Sequence, residues 1–407
     1  MNTIRFGKTI AKLRKKAGLT QLQLAQMLNV SDKAVSKWET GGGYPEITVL
    51  PALSEIFGVS VDYLLKGNTE GIAVAGNIIV DIVNMIDKYP QKMMLANVMD
   101  TVYAVGGCVP NTLIDLAKID PDLFLTAIGK VGNDENGRFM ISQMQKYGVD
   151  TTRVMVDNKL PTSHSYVMTD VSTGERTFFY TAGANKSLSI EDIDVESLDC
   201  RIFHIGYILL LDALDAPDER YGTKLARLLA RVQEKGIKTS IDVVTAEDSK
   251  IRSKVIPALK YADYAILNEI ECCLVTGLSP RKADGSINVE NIRCSMEKFL
   301  EYGVREKVII HCPEAGFLLN KNGEFLIVPS LELPPDYIKG SVGAGDSYAA
   351  ACLYGIYHGY GDKFLLEFAS AAAACNLSAS DSISGMKSKS EIIKLEKTYK
   401  RRENIKC

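Results

Sequence analysis

The 407-residue chain predicts an all-α domain followed by a larger α/β domain built on a mostly parallel, doubly wound sheet. Three observations carry that expectation. Residues 4 to 65 place apolar side chains at helical spacing, broken at short intervals and without strand alternation. Beyond Gly67-Asn68-Thr69-Glu70, a short polar linker, short apolar runs alternate with amphipathic helices, as a parallel sheet covered on both faces requires. A composition of 46% hydrophobic and 24% charged residues, with mean hydropathy +0.01, fits a folded globular chain and excludes the largely disordered, collagen-like and membrane-spanning classes. Domains are expected at residues 1–67 and 71–395.

The two parts differ in charge. Residues 1–67 carry a net charge of +4 and the remainder −7, an asymmetry that suggests nucleic acid at one end only. Arg5, Lys8, Lys12, Arg14, Lys15 and Lys16 lie among spaced apolar residues, without the apolar stretch and small-residue cleavage site of an export signal. The nine cysteines, Cys108, Cys200, Cys272, Cys273, Cys294, Cys312, Cys352, Cys375 and Cys407, include no C-x-x-C pair. A reducing cytoplasm, thiols that mostly fill the core, and no membrane contact are therefore expected.

In the basic head, Ile10, Leu13 and Ala17 share one face of a first helix that Gly18 ends. Thr20 and Gln23 form a capping box opening a second helix, with Leu22, Ala25 and Leu28 expected inward and Gln21, Gln23 and Gln26 outward. Ser31 suits the N-cap of a third helix that buries Val35 and Trp38 and exposes Asp32, Lys33, Ser36 and Lys37. A fourth helix after Pro45 turns Leu50, Leu53 and Phe57 inward, and Val61, Leu64 and Leu65 close the bundle. Two helices joined by a short turn, the second opening with small polar and basic residues, form a helix-turn-helix. The string LTQLQLAQMLNVSDKAVSKWETGGGYPEITVLPALSEIFGVSVDYLL resembles the Cro/C1-type (XRE) family of DNA-binding domains. That resemblance implies binding of double-stranded DNA through residues 1–67, as a dimer, with Gln21, Ser31, Lys33, Ser36 and Lys37 nearest the duplex. A polar helical bundle that binds protein is the alternative reading of this region.

In the acidic body, Ile72–Val83, Leu123–Ile128, Arg201–Ile205, Lys238–Val243, Tyr264–Leu267 and Val308–Ile310 are the expected strands. Helices such as Tyr221–Lys235, with Leu225, Leu228, Leu229 and Val232 inward, separate them. Ligands of such a domain sit at the carboxyl ends of the strands. Ser163–Asp170 and Arg176–Tyr180 flank Ser172-Thr173-Gly174 as a hairpin with no place in a parallel sheet, and are expected to belong to a lid.

The sharpest chemical signal is Gly340-Ser341-Val342-Gly343-Ala344-Gly345-Asp346, which opens a helix rich in small residues. Glycines at a helix N-terminus expose backbone N–H groups where the helix dipole favours phosphate. Asp346 just behind them is placed to take the proton of a hydroxyl attacking a γ-phosphate. A glycine turn with a capping Asp is the structural alternative.

Gly343-Ala344-Gly345-Asp346, with Ala104-Val105-Gly106-Gly107-Cys108-Val109-Pro110-Asn111, Ile128-Gly129-Lys130-Val131-Gly132-Asn133-Asp134, Gly174-Glu175-Arg176-Thr177 plus Gly183-Ala184-Asn185, and Asn268-Glu269-Ile270-Glu271, resembles the PfkB (ribokinase-like) family of carbohydrate and nucleoside kinases. All lie in the family's order. The resemblance implies ATP and Mg²⁺, Asp346 as catalytic base, and Gly343, Ala344 and Gly345 as an anion hole. It assigns Asn77, Asp81, Gly106, Gly107, Asn111 and, from the lid, Arg176 to the sugar, and Asn268 and Glu271 to Mg²⁺ and phosphates, with Glu271 reaching the metal through water. A helix cap with a solvated Glu271 and a surface Arg176 are the alternatives for those residues. The chain departs from the family in three places. Gly340-Ser341 replaces an Asp-Thr pair, so monovalent-cation activation is not carried over; His311-Cys312-Pro313 stands where the family has a T-x-G segment that helps with the nucleotide; and Asp242-Val243-Val244 replaces D-P-N. His311 and Cys312 lack Cys or His partners at metal-ligand spacing and are expected to be ordinary strand-end residues.

The expected protein is a cytoplasmic homodimer, a sugar kinase with a DNA-binding regulatory head. Two alternatives are a transcription regulator whose kinase-like body only senses a sugar or nucleotide, and a nucleoside kinase.

Overall fold

The computed structural model describes residues 3–66, 71–245 and 249–403, so the linker expected at Gly67–Glu70 lies outside the described residues. Five helices make the head: α1 (Thr3–Lys16), α2 (Gln21–Leu28), α3 (Asp32–Glu39), α4 (Leu50–Phe57) and α5 (Val61–Lys66). Their core is Phe6, Ile10, Leu24, Ala25, Leu28, Val35, Trp38, Leu50, Leu53 and Leu64. Two expectations for this core are corrected. Leu22 is 56% exposed and Leu24 takes the inward place, and Ala17 is exposed because α1 ends at Lys16, before the face reaches it. Glu39 ties three helices together, accepting from Arg14 Nε at 2.6 Å, Arg14 Nη2 at 2.9 Å and Gln21 Nε2 at 2.7 Å. The paired bonds from Arg14 are the strong, charge-assisted kind.

The body runs β1 (Ile72–Gly76), β2 (Ile79–Ile86), β3 (Val98–Gly106), α6 (Cys108–Ile119), β4 (Leu125–Gly132), α7 (Glu135–Lys146), β5 (Asp150–Asp157), β6 (His164–Asp170), β7 (Arg176–Thr181) and β8 (Ile202–Ile208). There follow α8 (Asp212–Asp215), the short pair β9 (Pro217–Asp218) and β10 (Gly222–Thr223), α9 (Lys224–Glu234), β11 (Lys238–Val243), α10 (Ile251–Leu259), β12 (Tyr264–Asn268), α11 (Glu269–Thr276) and α12 (Val289–Glu301). The chain finishes with β13 (Lys307–His311), β14 (Ala315–Asn320), β15 (Phe325–Pro329), α13 (Ala344–Tyr357), α14 (Asp362–Asn376) and α15 (Lys389–Thr398).

Nine strands form the main sheet in the order β15-β14-β13-β12-β11-β8-β1-β4-β5. From β13 to β5 neighbours are parallel, while β14 and β15 add an antiparallel edge. One apolar layer packs α6, α13 and α14 on the sheet, and the other packs α9, α10, α11 and α12. The fully buried runs Ile72–Gly76 and Val308–Ile310 are what two covered faces demand.

A second sheet, β3-β2-β6-β7, forms the lid. The hairpin read from the sequence is its β6 and β7. The expected single strand Ile72–Val83 is corrected: it breaks at Asn77-Ile78, leaving β1 in the main sheet and β2 in the lid. Asn185 makes the break possible, because its side chain accepts from the Ile78 amide at 3.1 Å and donates to the Ile78 carbonyl at 3.2 Å, replacing a strand partner.

The head meets the body at the amino ends of the strands, opposite the ligand end. Lys8 Nζ donates to the Leu123 carbonyl at 3.2 Å, and Lys15 lies 3.7 Å from Asp122. Burial holds the Lys8 ammonium below the usual lysine range, against the pull of Asp122, Asp120 and Asp150.

Candidate active site

The carboxyl ends of β1, β8, β11, β12 and β13 converge on the start of α13. Gly343 caps that helix with φ 75°, and a Cβ there would lie 2.6 Å from the Ser382 carbonyl oxygen, so no other residue fits without strain. Among the described residues no side chain caps α13; the Ala344 amide donates to the Ser341 carbonyl at 3.3 Å, and the Gly345 and Asp346 amides that follow it stand at the positive end of the helix. Asp346 follows at once, buried. Its Oδ2 accepts from Asn111 Nδ2 at 2.8 Å and from Tyr207 Oη at 3.0 Å, whereas Oδ1 takes no hydrogen bond from the described residues and borders a pocket of about 230 Å³. Burial raises the Asp346 carboxyl above its ordinary range, and those two hydrogen bonds oppose the rise.

Asn111 stands near the start of α6, behind Gly106-Gly107. The Gly107 φ of 88° and its approach to the Asn77 carbonyl, 2.5 Å from a built Cβ, explain the second glycine. The first is needed because its Cβ would fall 2.5 Å from Asp81 Oδ2. Ser382 Oγ completes the cluster, 2.9 Å from Asn111 Oδ1 and 2.7 Å from the Val105 carbonyl. Asp81, on β2, is pushed up to about 6 by burial; a hydrogen bond with Ser165 and the charge of Arg176 oppose this, and Asp346 adds to it. Asp81, Asn111 and Arg176 therefore border one site, between lid and body. Asn77 is different: it is buried, donates to the Tyr207 carbonyl at 3.3 Å, and its enclosed Oδ1 has no partner among the described residues.

No local sequence signal marks Tyr207, which adopts φ 59° and is followed by Leu209 at φ 94°. Such values strain non-glycine residues and persist only where surroundings enforce them. Asp215 holds Leu209, its Oδ2 accepting from the Leu209 and Leu211 amides at 3.0 and 3.2 Å, and Asn77 Nδ2 donates to the Tyr207 carbonyl. Also unforeseen is Asp115, fully buried below Asp346, whose Oδ2 accepts from Ser347 Oγ at 2.6 Å. Burial raises its carboxyl well above the ordinary range, against the hydrogen bond from Ser347.

Across the pocket, Asn268 and Glu271 form a reciprocal cap on α11. Asn268 Oδ1 accepts from the Glu271 amide at 2.8 Å, and Glu271 Oε2 accepts from the Asn268 amide at 3.0 Å. The capping alternative is thus correct in its geometry, but Glu271 is not solvated: it is 5% exposed, and Thr245 Oγ1 and Asn268 Nδ2 each donate to Oε1 at 2.8 Å. Burial raises Glu271 to about 7 and lifts the neighbouring Asp242 well above the carboxylate range. Among the described residues no three His, Cys, Asp or Glu side chains are grouped to hold a metal directly. Glu271, with both oxygens already accepting, suits contact through water. Beside this pocket a cleft of about 500 Å³ is lined by Ile270, Pro313, Leu331, Leu333, Ile338 and Leu377, an apolar wall wide enough for a flat base.

On the head, Ser31 accepts from the Ala34 amide at 3.1 Å as the cap of α3, and Lys33 and Lys37 stand exposed beyond it, with Ser36 half-buried. Gln21 reaches the same region but is half-buried and tied to Glu39.

Residues 69–389 match the pfkB family carbohydrate kinase profile. The chain belongs to the pfkB family. Its head, residues 10–64, matches a helix-turn-helix family, and 62 residues of the chain are 47% identical to the HTH-type transcriptional activator BcrR of Enterococcus faecalis, covering 15% of the chain and 30% of that protein. The body is 26% identical to a ribokinase of Schizosaccharomyces pombe, with 70% of this chain and 85% of the relative covered. It is equally 26% identical to a 5-dehydro-2-deoxygluconokinase of Bacillus velezensis, covering 72% and 84%. The structure of a putative ribokinase II from E. coli in complex with ATP and Mg²⁺ superposes with TM-score 0.65 at 21% identity, covering 81% of this chain and 99% of that one. This pfkB member therefore has the ribokinase fold. No helix among its described residues is long and apolar enough to cross a membrane.

Proposed function

We propose that the body transfers the γ-phosphoryl group of ATP to a hydroxyl of a sugar, and that residues 1–67 bind double-stranded DNA and make that activity, or its ligands, part of a transcriptional response. The observation that carries the catalytic reading is Asp346. One oxygen is fixed by Asn111 and Tyr207 while the other is open to the pocket beside the glycine-capped start of α13. The acceptor hydroxyl gives its proton to Asp346 Oδ1 as its oxygen bonds to the γ-phosphorus, and the bond to the β-phosphate oxygen breaks to release ADP. Gly343, Ala344 and Gly345 stabilise the charge that gathers on the transferring group.

Asp81, Asn111 and Arg176, with Gly106 and Gly107 shaping the wall, hold the sugar. Asn77 acts through the backbone it anchors at Tyr207. Asn268 and Glu271 hold water around Mg²⁺, which when bound neutralises phosphate charge. The apolar cleft takes the base. Bounds of 1–67 and 71–395, a homodimer that pairs two DNA-reading α3 helices, and a cytoplasmic setting complete the proposal.

Relatives of equal identity act on different sugars by name, so acceptor identity is the experiment: an ADP-release screen over sugars and nucleosides, with and without Asp346→Asn. Turnover on one sugar, lost in the variant, supports the reading. Ligand binding without any turnover supports the sensor alternative, for which the departures at Gly340 and His311-Cys312-Pro313 leave room.

The two halves have a physical route of communication. α6 starts at the acceptor wall and α13 at Asp346, and both end near the head: Leu123 and Asp122, just after α6, contact Lys8 and Lys15, and the charge of Lys12 acts on His358, at the end of α13. A ligand that shifts either helix biases the seating of α1. Coupling of this kind is reciprocal, so operator DNA must change ligand affinity by the same factor.

A further inference from the structure

The acidic body carries a basic surface that the active site does not use. On α9, Arg227 and Arg231 stand one turn apart on the face opposite the buried Leu225, Leu228 and Leu229. Arg220, exposed in the turn between β9 and β10, holds its guanidinium 5.3 Å from the centre of the Tyr221 ring, and Lys260, exposed after α10, holds its ammonium 5.9 Å from that of Tyr261. The two rings pack on each other at 5.7 Å. Two open clefts of about 500 and 610 Å³ adjoin here, sharing Arg220 and Tyr221, and exposed Arg305 lines the first of them. Five cations thus face three carboxylates, Asp218, Glu219 and Glu234, on a body whose net charge is −7. Arg227 lies 3.7 Å from Asp218, whereas Arg220, Arg231, Lys260 and Arg305 have no ion-pair partner among the described residues.

The position of this groove decides what it fits. Lys260 and Arg305 lie at the amino ends of β12 and β13, and Lys8 of the head meets the body at the amino end of β4, so groove and head share one end of the sheet. β12 is four strands from β4, about 20 Å at the usual strand spacing. That is shorter than one turn of duplex, about 34 Å. Unpaired cations along an open, elongated groove suit a polyanion whose charges repeat along its length, where a small anion needs a more enclosed site. We propose that this groove is a second DNA-contacting surface: with α3 of the head seated on duplex DNA, Arg220, Arg231, Lys260 and Arg305 of the body neutralise phosphates of the flanking duplex. This rests on the DNA-binding reading of the head. Contacts to phosphate carry no sequence information, so the groove adds affinity and leaves the choice of site to α3.

The test is equilibrium binding of the full chain to a labelled duplex of about three helical turns over a range of salt, with a binding-site selection alongside. The wild type is compared with a fourfold variant, Arg220→Gln, Arg231→Gln, Lys260→Gln and Arg305→Gln, and with a charge-keeping one, Arg220→Lys, Arg231→Lys, Lys260→Arg and Arg305→Lys. Each phosphate neutralised adds about 0.9 to the slope of log affinity against log salt, so the glutamine variant should be shallower by about 2 to 4. The charge-keeping variant should match the wild type, and all three should select the same sequence. If the fourfold variant does not fold, Arg231→Gln with Arg305→Gln, which leaves both cation-on-tyrosine contacts in place, must still make the slope shallower by about 1 to 2. An unchanged slope in the glutamine variants, with Lys33→Ala still making it shallower, overturns the inference alone. So does an equal loss in the charge-keeping variant, or a changed sequence preference, which would put these side chains on bases. A wild-type chain that binds no duplex overturns both the inference and the DNA-binding reading of the head.

Discussion

Asp346→Asn separates catalysis from folding more cleanly than any other change in the site. Both hydrogen bonds to the carboxylate fall on Oδ2, and an amide oxygen in that place accepts from Asn111 and Tyr207 equally well. Only the free oxygen changes, from a proton acceptor to an NH₂ group. Removing a general base costs about 100- to 10,000-fold in turnover, so kcat should fall by that factor while the KM values for sugar and ATP stay within a few-fold. Stability should move the other way. Because burial raises the Asp346 pKa above its unfolded value, the folded chain holds the proton more tightly between those two values, and its stability falls as pH rises through that window. The amide carries no such cost. A thermal melt should therefore show the variant at least as stable as the wild type at pH 8, with the advantage shrinking towards pH 4. The assays are steady-state ADP release and scanning calorimetry at both pH values. Undiminished turnover would remove Asp346 from proton transfer, and a variant markedly less stable at pH 8 would show that the buried charge is compensated by something other than Asn111 and Tyr207.

Gly343→Ala should cost both stability and activity, since a Cβ at φ 75° meets the Ser382 backbone at 2.6 Å; a drop of about 1–3 kcal/mol in a denaturant melt checks it. Asp81 protonates below about pH 6, so the sugar KM should rise on acidification through that value while the ATP KM holds, and Asp81→Asn should flatten the sugar profile. In DNA binding, Lys33→Ala and Lys37→Ala should each reduce the slope of log affinity against log salt by about 1, and a binding-site selection should lose sequence preference in Ser36→Ala if α3 is the reader. Lys15→Ala should leave both activities intact and reduce the effect of sugar on DNA affinity, read from paired titrations with and without operator DNA.

Local signals were legible wherever chemistry and backbone shape coincide in a few consecutive residues. Gly343 to Asp346, Gly106-Gly107 and the Thr20-Gln23 box each state their own geometry, because a positive φ or a cap needs particular residues. The hairpin at Ser172-Thr173-Gly174 was legible for the same reason. Tyr207 was not: its carbonyl is held by Asn77, 130 residues earlier, and its bond to Asp346 spans 139 residues, so nothing near it in sequence reports either. The break at Asn77-Ile78 was hidden because Asn185, far along the chain, supplies the missing strand partner. Leu22 and Leu24 show a further limit: helical spacing defines an apolar stripe, but which of two leucines near its edge turns inward depends on the helices packed against it.

The order of the site along the chain has an evolutionary consequence. Every residue assigned to the sugar, from Asn77 to Arg176, precedes α8, and every residue assigned to the metal, the nucleotide and the proton, from Asn268 to Leu377, follows α9. One genetic crossover between relatives, anywhere from Asp212 to Ile237, would exchange the acceptor preference whole and leave phosphoryl transfer in place. The hydrogen bonds that such a chimera must inherit across the seam include those of Asn111 and Tyr207 to Asp346, of Ser382 to Asn111 and the Val105 carbonyl, and of Ser347 to Asp115, so matching these partners is the design rule for recombining sugar specificity in this fold.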